Sequence, residues 1–389
     1  MTMKTSLLLL FAFVFVAPVC SSQGKPPVDK KIVQGLVAYV KAHHQTPEEY
    51  IVSKFKDHDV VFLGEWHWIK HDPILVQHVI PRLAAAEVYF LGLEFARRID
   101  QPLIDSLLSA PDYDEQLARL ILFKGFVHWG FQEYADIFKA AWQVNRIIPA
   151  GGKKFRILGV GNSPDWSLIT KPEDRDDYEV MRKVWHGESE EDWGRVLLDV
   201  ASAGGEKALV YSGSHHAFTE YRQPIASEGK FIRFGDVRMG NYVFQKIGKR
   251  AMTINLHAPW VNVEGYGKPP VFPADGYIDA MLTELDPKEQ SVGFDCAGTS
   301  FGKLPGETSL YKFGYEEFTL ENIYDGYICQ GPFSSYEGVT PIKGFINEAN
   351  LEEARSNSPS AAMRNASAEE FNAGAAEDAD IKRRLSALR

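Results

Sequence analysis

Five short apolar runs limit what this chain can fold into more than any other feature. They are DVVFLGEWH (59–67), EVYFLGLEF (87–95), FRILGVGNSPDW (155–166), KALVYSGSHHAF (207–218) and MTINLHAPW (252–260). Near-continuous β-branched and aromatic runs, without apolar–polar alternation, suit strands buried on both faces of a parallel sheet. Between them, segments 72–86, 131–148 and 189–204 carry apolar residues at three- and four-residue spacing, and the last opens on a capping-box pair, Ser189 and Asp192. A further helical pattern, 30–44, precedes the first strand. Strands alternating with helices predict an α/β domain over 30–260 with a mainly parallel sheet flanked by helices. Residues 261–346, rich in Gly, Pro and aromatics, read as a C-terminal sub-domain or covering insertion. Residues 347–389 read as a polar Ala/Glu-rich tail, helical in pieces or disordered.

The first 22 residues are a different material: Lys4, an apolar run from Leu7 to about Val19, then small polar residues. The run is short for a bilayer span and reads as a signal peptide. The mature protein is expected to be exported: periplasmic, secreted or lipid-anchored at the cell envelope. Cys20 before two serines fits lipid attachment, whereas Val19 ahead of it does not suit that processing box, so both outcomes stay open. Export makes Cys296 and Cys329 an even pair that an oxidising compartment could join. The net charge of −10 over 389 residues, with no basic block, excludes nucleic acid as a partner.

Ligands of open α/β sheets bind beyond the carboxyl ends of the strands. Those ends present Glu65 and His67, then Glu94, then Asn162 and Asp165, then His215 and His216, then His257. None of the eleven histidines follows His257, so any histidine chemistry belongs to the α/β part. Glu65 and His67 share a face if the strand continues through them. Such a pair can ligate a divalent ion or serve as a base with its orienting partner. His71, four residues on, reads as a first-turn surface residue. Of the adjacent histidines only one can enter a given site. Phosphate-loop, nucleophile-elbow and H-E-x-x-H patterns are absent.

GEWH after the first run, LEF after the second and YSGSHHAF after the fourth resemble the superfamily joining ChaN-like haem-binding uptake proteins, Tiki and TraB proteins and erythromycin esterases. The glycine-x-x-histidine pairs fall on Gly64 with His67 and on Gly213 with His216, and the glutamate falls on Glu94. The G-E-x-H form is closest to the ChaN-like branch. The resemblance implies a site of His67, Glu94 and His216 with Glu65 beside them, and two functions. One is a hydrolase of esterase or peptidase type, in which His67, Glu94 and His216 hold a divalent metal, or hold a water directly, with Glu65 as base. The other is a binder of haem or an iron-bearing ligand, with Tyr266, Tyr277, Tyr311 or Tyr315 as axial or covering groups. Either takes a small-molecule or peptide ligand.

Overall fold

The computed structural model describes residues 27–185, 189–203, 205–227 and 229–389; the expected signal peptide (1–22) and Cys20 lie outside the described residues. Nine strands form: β1 (Val60–Glu65), β2 (Phe90–Arg97), β3 (Arg156–Gly161), β4 (Ala208–Gly213), β5 (Pro224–Ser227), β6 (Lys230–Phe234), β7 (Ala251–Leu256), β8 (Ser291–Asp295) and β9 (Gly326–Gln330). Seven make one sheet in the order β3-β2-β4-β1-β7-β9-β8, and β5 and β6 make a separate hairpin. All pairings in the large sheet are parallel except β8 with β9 at its edge. The anticipated α/β architecture with a mainly parallel sheet is therefore present, and the 261–346 segment contributes β8 and β9 to it.

Central β1 is buried at every position. Val61 and Leu63 face one core and Val60 and Phe62 the other, as the two-residue period of a strand requires. Helices His71–Ala85, Gln101–Ser109, Glu115–Gly125 and Gln132–Ile147 cover the first face. Helices Glu190–Leu198 and Met239–Ile247 cover the second. The helix at 190 begins with the capping box expected of Ser189 and Asp192. After β1 the chain turns to the β2 side, and after β4 it passes to the β7 side of β1. The ends of β1 and β4 thus lie at the reversal in strand order where open sheets bind ligands.

The cysteine pairing is not as expected, and of the two readings of the tail the helical one holds. Cys296 and Cys329 are free buried thiols rather than a disulfide, and burial pushes both well above the ordinary thiol range. The tail is ordered: helices Leu351–Asn357, Ala368–Asp378 and Ile381–Arg384 place Phe371, Ile381, Leu385 and Leu388 in the first core. Among the described residues no helix is long and apolar enough to cross a membrane.

Leu385 is fully buried, so Leu385→Ala should cost about 2–5 kcal/mol of stability in urea unfolding. A loss below about 0.5 kcal/mol, typical of exposed positions, would mean that the tail is not part of the core.

Candidate functional site

Glu65, the last residue of β1, keeps the facing of Val61 and Leu63 and is 1% exposed. A buried carboxylate needs partners for its lone pairs, and three converge here. Tyr134 Oη lies 2.7 Å from Oε1 and 2.9 Å from Oε2. Tyr211 Oη donates to Oε2. His67 Nδ1 lies 2.7 Å from Oε1. Burial first, then the Glu65 charge, raises both phenols well above their ordinary value, so they stay protonated donors.

The strand stops at Glu65, so His67 stands in the following turn rather than on a continuing strand. Its ring nonetheless returns to Glu65, packed edge-on against Trp68, Phe95 and Trp129. With Nδ1 engaged by Glu65, the opposite ring edge faces Gly213. A Cβ at position 213 would stand 2.8 Å from His67 Cε1, 3.1 Å from Nε2 and 3.5 Å from Glu94 Oε2. Glycine at this position is what lets the imidazole and the second carboxylate flank one point at the end of β4.

Glu94 lies where the β2–β3 register shifts between Leu93 and Arg97, and such irregularities re-aim side chains. It does not pair with Arg97, which binds Asp100 at 2.6 Å. Glu94 Oε2 accepts the Gly213 N–H at 2.6 Å, and Oε1 lies 3.3 Å from His216 Nε2. His216 Nδ1 lies 2.9 Å from Glu190, which also binds Arg238 at 2.6 Å. Burial opposes charge on His216, but Glu190 and Glu94 together outweigh it and raise its pKa. Burial likewise opposes charge on Glu190, yet His216 and Arg238 hold its pKa down at about 2.

Of the three expected metal ligands, His67 and Glu94 flank Gly213 and His216 lies beyond Glu94. Among the described residues no three His, Cys, Asp or Glu side chains are grouped to hold a metal ion. Both Glu94 oxygens are engaged, and His216 lies between Glu94 and Glu190.

The other strand-end residues go elsewhere. His215 Nε2 meets Tyr311 Oη at 2.9 Å; burial, then Arg238, His216 and His67, lower its pKa to about 3. Asn162 donates to Trp185 O, and Asp165 caps the turn at Trp166–Leu168. His257 packs between Tyr327 and Asp279 in the core. His71 is held neutral, its pKa lowered to about 3 by burial and His257. Tyr134, Glu190, Arg238 and Trp129 are site residues that strand-end reading missed. Tyr211 was accessible to it, since it shares the facing of Gly213 two residues later.

Residues 51–158 match the family model described as haem-binding uptake, Tiki superfamily, ChaN. The resemblance carried by Gly64, Glu65, His67 and Glu94 holds over that stretch, which ends before Gly213 and His216. Among solved structures, ChaN of Campylobacter jejuni, described with cofacial heme binding, is 13% identical; the likeness covers 55% of this chain and 88% of that one, with a TM-score of 0.35. An erythromycin esterase mutant in its open conformation is 11% identical over 77% of this chain and 95% of that one, at 0.44. A succinoglycan biosynthesis protein is 11% identical over 77% and 96%, at 0.48. Among curated proteins, none matches the chain in sequence.

Glu190→Gln should lower the His216 pKa, because burial then faces only one carboxylate. The linkage has two signs. The raised His216 pKa contributes stability that is complete below 6.5 and lost as pH rises through the folded value. The depressed Glu190 pKa contributes stability present above 4.5 and lost as pH falls toward about 2. The deficit of Glu190→Gln in urea unfolding should therefore be largest between pH 4.5 and 6.5. A deficit independent of pH would exclude the ion pair as its source.

Proposed function

We propose that the strand-end site is a hydrolytic centre that works by proton transfer among its own side chains. The observation that supports it most is the Glu65–His67 pair inside the Tyr134–Tyr211 cradle. A carboxylate accepting from Nδ1–H fixes the tautomer and leaves Nε2 as the base. His67 Nε2 takes a proton from a water near Gly213, and that water attacks an ester or peptide carbonyl. Glu94, its charge balanced by His216, holds the water from the other side, and His67 then returns the proton it took to the leaving group as the carbonyl bond breaks. Trp68, Phe95 and Trp129 wall the imidazole away from bulk solvent, which strengthens every electrostatic contact within.

On a panel of nitrophenyl esters and fluorogenic peptides, His67→Ala should lose about 10²- to 10⁴-fold in kcat with its circular dichroism unchanged. Glu65→Gln should lose activity in the same direction, and chelator should leave the wild type active. Activity in His67→Ala equal to wild type would refute the base assignment.

The match over 51–158 favours a second reading, capture of haem or another iron-bearing small molecule. The residues that would hold such an iron are His67, whose side chain is 21% exposed, and Tyr266, 49% exposed. Tyr266 accepts from Gln223 at 2.8 Å but stays exposed, whereas Tyr311 is buried against His215 and Tyr315 is bonded to the Arg222 backbone. When bound, haem iron would supply the coordination chemistry, and the His67 and Tyr266 side chains would hold it. Hemin titration separates the readings: a Soret band in the wild type that shifts or weakens in His67→Ala or Tyr266→Phe, with no hydrolysis by the wild type, selects capture. The leader at 1–22 supports delivery of either activity outside the cytoplasm, with Cys20 as the point of attachment if the protein is anchored.

A further inference from the structure

The C-terminal tail reaches the site through one side chain. Arg384 places its guanidinium 4.6 Å from the Trp66 ring centroid and 4.3 Å from that of Trp68. These two indoles bracket His67 in sequence. Besides lying over these two rings, the guanidinium donates from Nη1 to the Asp378 carbonyl at 3.0 Å. Burial lowers its pKa to about 10, which leaves it charged at neutral pH.

Trp68 has a demanding conformation. Its φ is +74°, a region that bulky side chains rarely adopt and that persists only where surroundings enforce it. Its backbone is held at both ends: the N–H lies 3.3 Å from Tyr134 Oη, and the carbonyl accepts the Val339 N–H at 3.0 Å. Its ring N–H, by contrast, is buried without an acceptor among the described residues. The indole is therefore fixed by what lies against its faces, Arg384 and Trp129, rather than by a bond at its edge. The same Tyr134 hydroxyl that meets the Trp68 N–H also holds Glu65, and Glu65 holds His67. Beneath Arg384 the tail is seated closely: Gly338, which pairs with Ile69, has no room for a Cβ against Ala379 O.

We infer that Arg384 is a positioning residue for His67, acting through the Trp66–Trp68 faces and the Tyr134–Glu65 bonds, so that the C-terminal tail is part of the site. The inference rests on the hydrolytic reading for its kinetic arm only. Cation–π pairing depends on a cation over the ring, not on the guanidinium plane alone. Arg384→Ala should therefore lower kcat about ten- to a hundred-fold with little change in KM, as expected for a misplaced base, and Arg384→Lys should recover part of the loss. Arg389→Ala supplies the control, because Arg389 ties the tail to the Tyr336 and Ser334 carbonyls and touches neither indole.

A second arm needs no turnover. The tryptophan emission assigned to Trp68, by difference from Trp68→Phe, should shift and become more quenchable by acrylamide in Arg384→Ala, and should not change in Arg389→Ala. If the wild type hydrolyses nothing, the hydrolytic reading fails, and the emission arm still decides the packing of Arg384 on Trp68. Unchanged emission in Arg384→Ala overturns the inference. So does an equal loss of kcat in Arg384→Ala and Arg389→Ala, because that outcome means general loosening of the tail.

Discussion

A carboxylate buried at the end of the central strand is the constraint on which the rest of the structure depends. Glu65 cannot be solvated, so the fold must bring donors to it. It does so from three directions: Tyr211 from the neighbouring strand β4, Tyr134 from the helix above, and His67 from the turn that follows. Removing one donor leaves a buried acceptor short of a partner, so the three positions are mutually dependent. The same requirement that satisfies Glu65 orients His67, and it leaves one edge of the imidazole facing Gly213.

Across Gly213 the problem is charge rather than hydrogen bonding. Glu94, His216, Glu190 and Arg238 form a chain of alternating sign, partly buried, in which each member is balanced by its neighbours. Burying such a chain is costly unless every charge is paired. The pairing raises the pKa of His216, because Glu190 and Glu94 together outweigh its burial. The two halves meet only at Gly213, whose N–H binds Glu94 and whose missing side chain admits His67.

Much of this was legible in the sequence, for a physical reason. A parallel sheet buried on both faces makes near-continuous apolar runs, and its ligand site lies where those runs end, so Glu65, His67, Glu94 and His216 could be read by position. Glu65 and His67 meet as expected of neighbours on one face, but through a turn, because the strand ends before His67. Tyr134 was hidden because a helical tyrosine at core spacing looks the same whether its hydroxyl is free or holds a carboxylate. Glu190 sat inside a helix-capping pattern that already accounted for its surroundings. Arg384 was hidden by composition: a tail rich in Ala, Glu and Arg reads as solvated, yet Ile381, Leu385 and Leu388 suffice to dock it.

The central claim is that Glu65 fixes His67 with its proton on Nδ1 and Nε2 bare. Histidine side-chain ¹⁵N spectroscopy across a pH titration, with His67→Gln to assign the signal, reads this directly. In the neutral form, the expected spectrum shows a protonated Nδ1 and an unprotonated Nε2, and the tautomer preference weakens in Glu65→Gln. A neutral His67 protonated on Nε2, or one with the mixed tautomers of a free imidazole, would contradict the dyad.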